Sequence, residues 1–123
     1  MSQHHYACTW QGRPISIMMG WDRPLQGFFM VIEFDDAGGQ DEENEEAWLL
    51  YSNLNDPVLA PTSGMASSCE YFQEKLSALG VRVPAQMIEA VDQDGKTNAG
   101  NREAWYDRGG RVVATAHYEE SRP

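Results

Sequence analysis

The chain has 123 residues, 41% of them hydrophobic, enough for one domain with a core of its own and no need of disulfides or metals. Its formal net charge of −10 argues against direct binding to a phosphate backbone, which requires clusters of Lys and Arg. No apolar run approaches the roughly 20 residues of a membrane span, and Met1-Ser-Gln-His-His lacks the apolar core of a signal peptide, so a cytoplasmic location is expected.

Residues 5–10, His-Tyr-Ala-Cys-Thr-Trp, read as a first strand with Tyr6, Cys8 and Trp10 on one side. Gln11-Gly-Arg-Pro14 is a turn, and Ile15-Ser-Ile-Met-Met19 a second strand that completes a hairpin. Pro24 biases Arg23 away from the helical region. Residues 25–34, Leu-Gln-Gly-Phe-Phe-Met-Val-Ile-Glu-Phe, carry apolar side chains on both alternating faces up to Glu33. That pattern predicts the central strand of a sheet, covered on both sides.

An acidic loop follows at 35–46. Residues 33–46 hold Glu33, Asp35, Asp36, Asp41, Glu42, Glu43, Glu45 and Glu46 with no Lys or Arg, whereas the other 11 acids face all nine bases. With high charge and no apolar anchor the loop is expected to be mobile. It can dock on a basic protein surface, or it can simply keep the chain soluble. Ala47-Trp-Leu-Leu-Tyr-Ser52 reads as the return strand, and the prolines and glycine of 53–66 mark a long connection.

Residues 67–80 give the clearest helix. Ser67 and Glu70 have capping-box spacing, Cys69, Phe72, Leu76 and Leu79 form a buried stripe, and Gly80 suits the C-terminal cap. Cys69 is therefore expected to be an inert core thiol. Pro84 opens a second helix, with Met87, Ile88 and Val91 inward and its end near Gly95. Strands at 102–107 and 111–118 close the chain, joined by Arg108-Gly-Gly, where a two-residue hairpin turn calls for positive φ. The order β-β-β-β-α-α-β-β predicts an α+β domain spanning 1–123: a mostly antiparallel, twisted sheet of about six strands with two helices packed on one face.

Motifs for chemistry are sparse. Asp92, Asp94 and Glu103 have the 1, 3, 12 spacing of a calcium loop, but Lys96 and Thr97 stand where an oxygen ligand and a glycine belong. His4, His5, His117 and the cysteines lack zinc-ligand spacing, and Ser2-Gln-His4 suits copper(II) or nickel(II) only behind a free Ser2 amine. Neither a nucleophile elbow nor a P-loop, dinucleotide fingerprint or C-x-x-C is present, so no catalytic, cofactor-binding or metal residue is assigned. The composition fits a small non-enzymatic module that docks on a basic partner protein, as an inhibitor or accessory protein. Partner contacts would come from Asp35, Asp36, Asp41, Glu42, Glu43, Glu45 and Glu46, with Trp21 as a loop aromatic anchor and Arg23 beside it. Two alternatives stand beside it. One is a small enzyme or ligand-binding domain with a site between helices and sheet, near Trp48, Tyr51, Trp105 and Tyr106. The other is a homodimer joined through an edge strand at 111–118 or 5–10.

Overall fold

The computed structural model describes residues 1–36 and 48–117. The elements run β1 (Ser2–Trp10), β2 (Arg13–Asp22), β3 (Gly27–Phe34), β4 (Leu49–Ser52), α1 (Cys69–Leu79), α2 (Ala85–Thr97), β5 (Arg102–Tyr106) and β6 (Val112–His117), with 3-10 turns at Asn53–Asn55 and Ala60–Thr62. Six strands form one sheet in the order β4-β3-β2-β1-β5-β6. All neighbours are antiparallel except β1 and β5, which pair in parallel from Ser2↔Arg102 to Tyr6↔Tyr106. The fold is α+β, as the element order predicts. Among the described residues no helix is long and apolar enough to cross a membrane.

The first hairpin turns on Gln11 and Gly12, both at positive φ, the backbone that a tight two-residue turn requires. β2 and β1 take the middle of the sheet, not β3, which is next to last. The apolar side chains on both faces of β3 have a local cause: Phe28, Met30 and Ile32 enter the core, and Phe29 on the opposite face lies against Gly20 of β2. A Cβ at Gly20 would overlap the Phe29 ring and the Ser2 carbonyl, so this close approach of β1, β2 and β3 depends on glycine. β1 lies between β2 and β5, but β5 covers only Ser2 to Tyr6, so of the 5–10 segment residues 5 and 6 are interior and 7–10 run beyond that ladder; the outermost strands are β4 and β6.

Helix α1 is capped by Ser68, whose hydroxyl accepts from the Glu70 N–H, one residue later than the Ser67 capping box predicts. It ends at Gly80, φ 76°, as expected. Pro84 is the N-cap residue of α2, which runs past Gly95 to Thr97 and stops at left-handed Asn98. Gly95 is a packing glycine: a Cβ there would overlap the Phe28 ring. The last hairpin is not a two-residue glycine turn. Only Gly110 has positive φ, and Asp107 organises a longer turn by accepting from the N–H groups of Gly110 and Arg111. Ile15, Ile17, Met19, Met30, Ile32, Phe72, Met87 and Val91 fill the space between sheet and helices with no exposed surface. Cys69 joins them, and burial pushes its thiol pKa up to about 12, the mark of an inert core cysteine.

Candidate functional site

Side chains alternate across the sheet, so each face can be read separately. The face under the helices holds the core. On the opposite face His5, Met18, Val31, Glu33 and Trp105 are all half-exposed. The His5 imidazole stacks on Trp105, with centroids 5.0 Å apart and planes 13° from parallel. Its Nε2–H donates to the Glu103 carboxylate at 2.7 Å. Toward β4 this face deepens into a groove of about 440 Å³ lined by Met18, Val31, Glu33, Trp48, Leu49 and Leu54. Trp48 and Leu54 are 39% and 72% exposed there, a large apolar surface for so small a domain.

A second groove, of about 470 Å³, lies on the helix side of β4, lined by Leu49 to Ser52, Asn55, Asp56, Pro57 and Lys75. Its floor is built by Asp56, which accepts the Tyr51 hydroxyl at 2.6 Å, the Tyr71 hydroxyl at 2.7 Å and the Val58 N–H at 3.0 Å. The Lys75 ammonium stands 3.8 Å away at the rim. Burial works to raise the Asp56 pKa, but the two tyrosine hydroxyls, the backbone N–H and Lys75 outweigh it and hold the carboxyl below its usual range. For Tyr51, burial and the Asp56 carboxylate push the phenol well above its ordinary value, so it stays a donor at neutral pH.

The third constellation is sealed. His4 Nε2–H donates to Asp94 Oδ2 at 2.6 Å, and Nδ1 accepts the Tyr106 hydroxyl at 2.8 Å. Arg102 donates to Asp94 Oδ1 at 3.2 Å. Burial acts to raise the Asp94 pKa; hydrogen bonds from His4 and Ser2 and the Arg102 charge reverse it. An Asp–His–Tyr series could relay a proton, but His4 is 0% and Asp94 2% exposed, so no substrate reaches it. Its role is to clamp β1, α2 and β5 together. Sequence reasoning missed it because its members lie 90 and 102 residues apart and share no motif.

The residues expected to meet a partner do not converge. Asp36 holds Arg13 at 2.8 and 3.2 Å, and Asp35 accepts the Ser16 hydroxyl at 2.8 Å. Asp41, Glu42, Glu43, Glu45 and Glu46 lie outside the described residues. Trp21 is no exposed anchor: it belongs to β2, is 8% exposed, meets Phe28 edge-on and donates to Asn98 Oδ1 at 3.0 Å. It closes the edge of the core. Arg23 is exposed beside Gln26 and Asn98, at the opposite end of β3 from Asp35 and Asp36.

The remaining expected constellations are also dispersed. Trp48 and Trp105 belong to the open side of the sheet, whereas Tyr51 and Tyr106 turn toward the helices, so they form no shared cleft. Asp92 and Asp94 sit inside α2 and Glu103 in β5, which leaves no calcium loop. β5 separates β1 from β6, so the strands of His5 and His117 are not neighbours. With both His4 ring nitrogens engaged, the Ser2-Gln-His4 copper arrangement is closed off. Among the described residues no three His, Cys, Asp or Glu side chains gather as a metal site. Comparison of the chain with family models, with curated proteins and with solved structures returned no match.

Proposed function

We propose that this chain is a protein-binding module that docks on a basic partner protein through the uncovered face of its sheet. The observation that carries this reading is the band of Met18, Val31, Trp105, Trp48 and Leu54, left partly or largely exposed on the sheet face opposite the one that packs Ile15, Ile17, Met19, Met30 and Ile32 under the helices. Aromatic residues and Met are the side chains enriched in protein interfaces. Charge decides between occupants. A second copy also carries −10 and is repelled, whereas a basic protein is drawn in by Glu33 and by the whole-chain field. Asp41, Glu42, Glu43, Glu45 and Glu46 lie just before Trp48 in sequence and add to that attraction. By covering a basic working surface of its partner, the module would act as an inhibitor or accessory protein.

The test is a quantitative pull-down with three baits: the native chain, a double variant Met18→Lys with Trp105→Lys, and a chain with Asp41, Glu42, Glu43, Glu45 and Glu46 changed to Asn or Gln. The native bait should retain a defined set of basic proteins at low salt, with at least tenfold less at 0.5 M salt and on the double variant. Circular dichroism checks that the baits fold. Equal recovery on all three folded baits, or no enrichment of basic proteins, overturns the proposal.

A further inference from the structure

We infer that the free edge of β4 is where the partner joins the sheet, by adding one extended segment of its own as a seventh strand. This rests on the protein-binding reading above and supplies its mode. β4 ends the sheet, and among the described residues no strand pairs with its outer edge. The two grooves lie on either side of this edge and share Leu49, Ser52 and Asn55. A paired strand sends successive side chains to opposite faces, with same-face neighbours about 7 Å apart. One residue of an added segment therefore enters the groove of Trp48, Leu54, Val31 and Met18, and the next enters the groove of Tyr51 and Lys75 above Asp56.

The linings set the chemistry of the occupant. The open-side groove takes a large aliphatic or aromatic residue, and Glu33 at its rim favours a Lys or Arg two positions away. On the helix side Lys75 offers donors. The Asp56 carboxylate beneath already receives two phenols and an N–H, so a small polar side chain with an acceptor, such as Ser, Thr or Asn, fits there. The occupant is thus an extended segment in which apolar and small polar residues alternate beside a basic one. In strand addition the main-chain bonds supply affinity and the alternating pockets supply specificity. β4 has only four residues and a bulge between its partners Ile32 and Glu33, so the ladder is short and the pockets carry much of the selectivity. β6, the other edge, exposes Val112 and Val113.

The experiment pans a random heptapeptide library on phage against the full chain at low salt. The probe for solution work is the most enriched heptapeptide, made with blocked ends. Its sequence should show the alternating apolar and small polar pattern with a Lys or Arg, and it should bind with a Kd in the micromolar range. Hydrogen exchange should slow at Leu49 to Ser52 and stay unchanged along β6. Trp48→Ala should weaken binding at least tenfold and Lys75→Ala about threefold, with unchanged circular dichroism, whereas Val113→Ala should leave it as it is. N-methylation of alternate peptide residues should abolish binding in one phase and spare it in the other. Protection elsewhere, indifference to N-methylation in both phases, or no enriched peptide overturns strand addition. If that happens while the salt-sensitive pull-down persists, recognition of a folded basic surface stands alone. An empty pull-down as well removes both.

Discussion

Asp94 is the residue whose surroundings are most demanding. It lies 2% exposed at the meeting of β1, α2 and β5, ionised and held by His4, Ser2 and Arg102. Breaking a buried charge pair by removing one partner costs about 3–5 kcal/mol, because the groups left behind stay desolvated. Asp94→Asn should therefore lower the urea midpoint sharply. Asp92→Asn, two residues away, removes only an exposed pair with Lys96 and should change stability by less than about 1 kcal/mol. Equal effects of the two would show that the sealed network is not a clamp. Asn98 gives a second test. It ends α2 at φ 52° and its Oδ1 accepts from both Trp21 and Gln26. Asn98→Gly keeps the backbone and loses the hydrogen bonds, whereas Asn98→Ala also strains the left-handed position. Thermal melts should place the alanine variant below the glycine variant by about 1 kcal/mol.

At the scale of elements, α2 is fitted to the sheet through Gly95. Replacing glycine by alanine inside a helix normally stabilises it by about 1 kcal/mol. Here the added methyl overlaps the Phe28 ring, and overpacking costs about 1–3 kcal/mol, so Gly95→Ala should destabilise. Combined with Phe28→Leu, the same alanine should become neutral or better, a sign change that a double-mutant cycle reads directly. The position also shows where the sequence was legible and where it was not. Helical spacing predicted the inward face of α1, and Cys69, Phe72 and Leu76 are indeed buried. A glycine inside a helical pattern reads locally as a terminus, since the ring that requires it belongs to another element. Strand order was hidden for a similar reason. Alternation tells which way a side chain points, not which strand lies beside it, so β3 read as central and the parallel union of β1 with β5 left no trace. The open face could be read only in part: Met18 and Val31 were visible as strand residues, but nothing local says that neither helix lies over them. Trp21 was misplaced because β2 extends to Asp22 and pairs Trp21 with Phe28, while the hydrogen bond that holds its ring comes from Asn98, 77 residues away.

For the whole molecule, Asp56 and Asp94 set the response to acid. Both are held below the ordinary carboxyl range, so the unfolded chain takes up their protons at higher pH than the folded chain does. Their contribution is complete above the unfolded value of about 3.9 and is lost as pH falls through the lower, folded values. The melting temperature should hold steady from about pH 7 to 5 and decline below about pH 4, and Asp94→Asn should flatten that decline. A melting temperature that rises on acidification would mean that relief of the −10 charge outweighs both sites. The parallel pairing of β1 with β5 has another consequence, in the order of synthesis. Of these six strands β1 is made before the others and can pair with β2 at once, but its other edge stays open until residues 102–106 emerge. Throughout that interval Ser2 and His4 lack the partners that later bury them, and the nascent chain carries a bare strand edge at what will become its centre. Translation that stalls before β5 therefore leaves an adhesive half-sheet, a natural client for chaperones.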